Sequence, residues 1–186
     1  MSPRPIQFPV EGLTDGTVRL RLMSDDDVDA VAEACRDPEI ARFTTIPSPY
    51  RPRHAREWLV HSRGGLESGT DLHTLIVDPA DDELLGSAGI SGLDLATGRC
   101  AFGYWVTAQA RGRGVATRAL RLLSRFAFHD LEVQRVELWI DPENAASLRV
   151  AERVGFSREG LLRSFMPING VRRDMLMYSL LPGDVR

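Results

Sequence analysis

The stretch from 100 to 128 limits the possible folds of this chain more than any other. Residues 100–106 read as a strand, Gly112 and Gly114 punctuate the loop that follows, and residues 114–128 read as a helix. In that helix Val115, Ala119, Leu122, Leu123 and Phe126 fall on one face, and Arg118, Arg121 and Arg125 fall on the other. The first amides of a helix have no intrahelical acceptor and point outward at its positive end. Glycines let the backbone turn sharply and bring such amides close to an anion. With Arg111, Arg113 and Arg118 around them, the loop predicts a phosphate or pyrophosphate site. A glycine-punctuated structural turn is the competing reading. A Walker loop is excluded because no Gly-Lys-Ser/Thr follows, and a dinucleotide fingerprint has Thr117 where its third glycine belongs.

The remaining elements alternate around this unit. Residues 17–22 alternate Val18, Leu20 and Leu22 with Arg19 and Arg21, the pattern of a strand. Ser24 before three aspartates opens a helix. Residues 38–43 form a shorter helical piece, and a third helix carries Trp58, Leu59 and Leu66. Strands are expected at 72–77, 84–93, 134–140, 156–162 and 173–181, with a helix at 145–154. No repeat, low-complexity tract or linker divides the chain. The expectation is one α/β domain over 17–186 with a mixed sheet, preceded by an N-terminal extension, 1–16.

Composition removes several classes. The net charge is −3, and all 23 basic residues are arginine, which gives no support to nucleic-acid binding. No run of roughly 18 apolar residues exists for a membrane span, and the proline-bearing N-terminus lacks a signal-peptide core, so the cytoplasm is the expected compartment. Cys35 and Cys100 are too few for a disulfide framework and read as reduced, buried thiols. Neither has a neighbour at metal-ligand spacing, so no metal is expected.

The ordered motifs resemble a known family. Arg111-x-x-Gly114-x-Ala116 matches the Arg/Gln-x-x-Gly-x-Gly/Ala signature of the GNAT superfamily of N-acyltransferases, between a strand and a helix as it is there. Gly103-Tyr104-Trp105-Val106 and the run from Asp141 to Ser147, with Gly155-Phe156 and Glu159-Gly160 beyond, resemble the Rim-type branch that acetylates ribosomal-protein N-termini. The closing Arg172-Arg173-Asp174 and Tyr178-Ser179-Leu180 also fit.

The resemblance implies a mostly antiparallel central sheet opened by one parallel pair. It implies acyl-coenzyme A, most often acetyl-coenzyme A, as co-substrate and a primary amine as acceptor, attacked directly in a ternary complex; a homodimer is a common assembly. By motif position, the backbone of Trp105, Val106 and Thr107 would bind the pantetheine arm. The amides of Arg111, Gly112, Arg113, Gly114, Val115, Ala116 and Thr117 would hold the pyrophosphate, and Asn144 would approach the thioester. Asn144 reads equally as a helix cap. The tyrosine acid of many relatives would stand at Ala151, so Ser147 is the catalytic candidate. Glu137, Asp141 and His129 are weighed as base, and none is assigned.

The lack of an obvious base leans towards an α-amine, with a pKa of about 8, over a lysine amine near about 10.4. Residues 43–53 would edge the acceptor site. A coenzyme A-binding module without turnover, a succinyl or other acyl transferase, and a nucleotide-binding protein are the rival readings.

Overall fold

Apolar alternation and helix punctuation build the elements in the expected order. The computed structural model describes residues 4–185. After β1 (Leu13–Thr14) and β2 (Arg19–Leu22) come helices α1 (Val28–Ala34), α2 (Pro38–Phe43) and α3 (Pro52–Ser68). Strands β3 (Leu72–Val77), β4 (Leu84–Asp94) and β5 (Arg99–Val106) follow. Then come α4 (Val115–His129), β6 (Arg135–Ile140), α5 (Ala145–Val154), β7 (Ser157–Ile168) and β8 (Val171–Leu180). The eight strands form one sheet in the order β1-β2-β3-β4-β5-β6-β8-β7.

Residue parity decides the faces, because successive side chains of a strand point opposite ways. Even-numbered residues such as Leu72, Ile76, Ala88, Ile90, Phe102, Val136 and Leu138 pack with α4 and α5 in the larger core. Odd-numbered Leu75, Val77 and Trp105 pack with α1 and α3 in a second cluster on the other face. Residues 4–16 lie over the first of these cores. Ile6 is buried there and its N–H donates to the Leu66 carbonyl at 2.9 Å, while Asp15 pairs with Arg118 of α4 at 2.8 Å. Residues 1–3 of the expected extension lie outside the described residues, as does Arg186.

Two differences from the sequence reading concern the sheet edges. The short β1 pairs with β2 at Leu13↔Leu20 and Thr14↔Arg19, a contact too brief to leave a periodic signal. The strand expected to end at 162 continues to Ile168. A register shift between Leu162 and Met166, with Ser164 at φ 50°, lets the pairing with β8 resume beyond the bulge. The hairpin turns instead at Asn169-Gly170, at φ 49° and 78°.

All neighbouring strands are antiparallel except β5 and β6, which pair in parallel only at Arg99↔Arg135, Cys100↔Val136 and Ala101↔Glu137. The paired end is tied outward through side chains. Arg135 donates to Glu137 at 3.0 Å and to both oxygens of Glu159 on β7 at 2.8 and 2.6 Å, and the Ser179 hydroxyl of β8 donates to Glu159 at 2.7 Å.

Arg135 first, and Ser179 second, draw the Glu159 carboxyl down to about 2. A depressed carboxyl contributes stability above its unfolded value, about 4.3, and loses it as the pH falls towards the folded value. Glu159 is exposed, so Glu159→Gln is expected to cost under about 1 kcal/mol at neutral pH. Urea unfolding of variant and wild type should converge as the pH is lowered from about 4.3 to about 2.

Candidate active site

The chemistry gathers where β5 and β6 part. Beyond Ala101 and Glu137 each strand keeps only its outer partner, β4 for β5 and β8 for β6. The two inner edges diverge around a cleft of about 1040 Å³. Thr107 donates its N–H to the Leu85 carbonyl at 2.9 Å, so odd-numbered residues of β5 direct their backbone groups at β4. By alternation Tyr104 and Val106 direct theirs into the gap. Of Trp105, Val106 and Thr107, Val106 therefore presents free backbone groups, Trp105 presents only its side chain, and the Thr107 amide is already engaged.

The wide mouth of the gap meets the start of α4. Gly112 and Gly114 adopt φ 74° and 80°, the left-handed region that favours glycine, and no atom stands where either Cβ would lie. Gly114 is the N-cap and supplies no capping side chain. The N–H groups of Val115, Ala116 and Thr117 find no acceptor among the described residues. The Thr117 hydroxyl is buried there without a partner. An unpartnered hydroxyl, three free amides and a glycine cradle fit the oxygens of a pyrophosphate, and the unpaired edge of β5 fits an amide-bearing arm. The arginines divide: Arg111 pairs with Asp37 at the start of α2, Arg118 with Asp15, and Arg113 has no ion pair among the described residues.

On the α5 side of the gap the Tyr104 and Ser147 hydroxyls meet at 2.7 Å. Burial pushes the Tyr104 phenol up to about 12, the bond to Ser147 opposing it only in part, so the phenol keeps its proton at neutral pH. Asn144 caps α5, its Oδ1 accepting from the Ser147 N–H at 3.0 Å, while its side chain also lines the cleft. Tyr104 was legible as a motif residue, but nothing in the sequence put its hydroxyl beside Ser147, which lies 43 residues away.

The opposite wall comes from α1–α3. Phe43, Thr44, Thr45, Ile46 and Pro47 line it with Tyr50 and Trp58, and His73 of β3 lines the cleft as well. Trp139 of β6 stacks edge-on to Phe165 at 5.1 Å with its indole N–H unpartnered. Of the acids weighed as base, Glu137 is held by Arg135 and lines only a separate pocket of about 210 Å³. Asp141 is buried, accepts the Glu143 N–H at 2.8 Å and faces Arg173 at 3.5 Å. His129 ends α4 and is exposed outside the cleft. Cys35 and Cys100 are free and buried, and burial pushes both thiols up to about 12.

A parted parallel pair with unpaired amides of a helix start at its mouth is the arrangement of an acyl-coenzyme A-type N-acyltransferase fold. The GNAT acetyltransferase domain family matches residues 17–157, and the chain belongs to that family. It is 30% identical to an uncharacterised N-acetyltransferase of Bacillus licheniformis over 92% of this chain and 97% of that one. It is 25% identical to the ribosomal protein uS5-alanine N-acetyltransferase of Escherichia coli over 63% of this chain and 61% of that one. RimJ of Mycobacterium smegmatis, solved with a coenzyme A disulfide, superposes with a TM-score of 0.81 at 26% identity, covering 92% and 85% of the two chains. No helix among the described residues is long and apolar enough to cross a membrane.

Gly114→Asp puts a carboxylate against the free amides. Asp tolerates the left-handed conformation at a cost of about 1–2 kcal/mol, so the protein should fold. Coenzyme A affinity measured by titration calorimetry is expected to fall at least about tenfold, because the site then repels an anion.

Proposed function

We propose that the protein transfers an acyl group, acetyl above all, from acyl-coenzyme A to a primary amine, and that the acceptor is a protein N-terminal α-amine. The observation that carries this reading is the parting of β5 and β6, which opens a passage through the sheet from the α4–α5 face to the α1–α3 face. A donor held at the mouth of α4 and an amine entering past residues 43–47 would meet inside it, so direct transfer needs no covalent enzyme intermediate. The Escherichia coli relative N-acetylates an alanine of ribosomal protein uS5, and alanine has no side-chain amine, which supports an α-amine acceptor.

The thioester supplies an electrophilic acyl carbon. Val115, Ala116 and Thr117 would bind the pyrophosphate through their amides, with the Thr117 hydroxyl and Arg113 adding to the hold. The Val106 backbone would orient the arm along β5. Ser147 would donate a hydrogen bond to the departing sulfur, held in that pose by Tyr104. A phenol near 12 is a weaker acid than a thiol near about 8.5, so the pair stabilises a thiolate rather than protonating it.

Titration calorimetry with acetyl-, propionyl- and succinyl-coenzyme A, beside coenzyme A and ATP, tests the donor. Preference for one acyl thioester names the acyl group. Equal or stronger binding of ATP revives a nucleotide-binding role, and no binding by folded protein overturns the reading. Turnover on peptides beginning with alanine or serine tests the acceptor. Ser147→Ala is expected to lower kcat by about 100-fold with little change in acetyl-coenzyme A binding. Tyr104→Phe, which keeps the ring, should lower it by a smaller factor of about 10.

A further inference from the structure

The amine must lose a proton during transfer, and neither Glu137 nor Asp141 is free to take it. The candidate lies on the α1–α3 face. His73 of β3 stands opposite Gly89 of β4, which stands opposite Gly103 of β5. Directly opposed residues of antiparallel strands share a face, so these three make one row leading from His73 to the gap. A Cβ on Gly89 would lie 2.7 Å from His73 Nδ1, so the imidazole rests across β4 in the space a side chain would fill. Above Gly103 there is nothing within 4 Å. Strands are spaced about 4.8 Å apart, so a ring lying over β4 stands about one water from the edge of the gap.

The ring is held by packing. Trp58 and His61 of α3 tilt against it, each with centroids 5.8 Å away. Its nitrogens make no hydrogen bond to the described residues, and the ring lines the cleft. From α3 it faces His61, with Glu57 and His54 lining the cleft about one turn and two turns earlier. On its own strand Asp71 precedes it, and the β4 and β5 positions beside it are glycines.

We propose that His73 is the general base of the transfer, taking the proton from the attacking amine nitrogen directly or through one water. This rests on the acyl-transfer reading above. As the nitrogen bonds to the acyl carbon, the C–S bond breaks and the sulfur leaves as a thiolate beside Ser147. The nitrogen's surplus proton passes to the imidazole and from there to solvent. Bond formation makes that proton strongly acidic, so a weak base suffices. Burial lowers the His73 pKa below its usual value, with His61 pushing the same way and Asp71 opposing, which leaves the ring neutral and able to accept at neutral pH.

The test is acetyl transfer from acetyl-coenzyme A to alanine- and serine-initiated tetrapeptides, with kcat followed from about pH 5 to 8, the range in which histidine titrates. In the wild type kcat should fall on the acid side as the imidazole protonates. His73→Gln should lower kcat by about 100-fold and make the acid limb shallower, leaving only the part given by the peptide amine's own protonation, while its calorimetric affinity for acetyl-coenzyme A stays within about twofold. His73→Asn, which keeps a polar side chain on that face but no basic group, should lower kcat in the same direction and keep coenzyme A binding. If the wild type turns over and His73→Gln keeps both its kcat and its acid limb, His73 is not the base and the transfer reading stands. If His73→Gln does not fold, His73→Asn decides by the same comparison. If the wild type binds acetyl-coenzyme A yet acetylates none of the peptides, the reading of the acceptor falls and the role of His73 with it.

Discussion

The function of this fold depends on two parallel strands that stop pairing. β5 and β6 share three residue pairs and then separate, each still held along its outer edge. A strand edge without a partner presents polar groups that need water or a ligand. Here that edge belongs to Tyr104 and Val106, and it leads to a helix start whose amides are also free. The gap therefore offers one continuous polar track from the mouth to the middle of the sheet. The tie from Arg135 to Glu137 and Glu159 holds the closed end, so the opening is fixed on one side and wide on the other.

The parity of the strands separates the two halves of the chemistry. Even-numbered Tyr104 points to α5 and reaches Ser147, where under the proposed reaction a leaving sulfur would need a hydrogen-bond donor. Odd-numbered His73, with glycines beside it at 89 and 103, points to the opposite face, where an amine would arrive. Burial acts on both sides and in each case favours the uncharged form. It raises the phenol, which keeps its proton, and lowers the imidazole, which stays free to take one. One sheet would thus keep a hydrogen-bond donor and a proton acceptor apart by one residue of register.

Two arginines, Arg111 of the signature loop and Arg118 in the first turn of α4, show that a charge near a site need not belong to it. Arg111 is paired with Asp37, whose carboxylate also caps α2 by accepting the Glu39 N–H. Arg118 is paired with Asp15. The first ties α2 to the loop and the second ties the N-terminal segment to α4, whereas the free amides and the Thr117 hydroxyl are what lack partners. For binding a pyrophosphate, the unsatisfied backbone counts for more than the nearby formal charge.

The sequence determined the elements and their order, because local periodicity and turn chemistry act over a few residues. The strand at 72–77 and the helices at 38–43 and 145–154 fall where the pattern puts them, and the glycines at 112 and 114 mark the turn between β5 and α4. The bulge that carries β7 through Ser164 was not legible, since pairing with β8 overrides the local signal. Nor were the partners of long range. Ser147 gave no sign that it meets Tyr104, and a lone histidine in the apolar run 72–77 gave no sign that two glycines on other strands clear its way to the gap. Those meetings are set by strand register and by the point at which β5 and β6 part. Both are properties of the assembled sheet, which no single segment encodes.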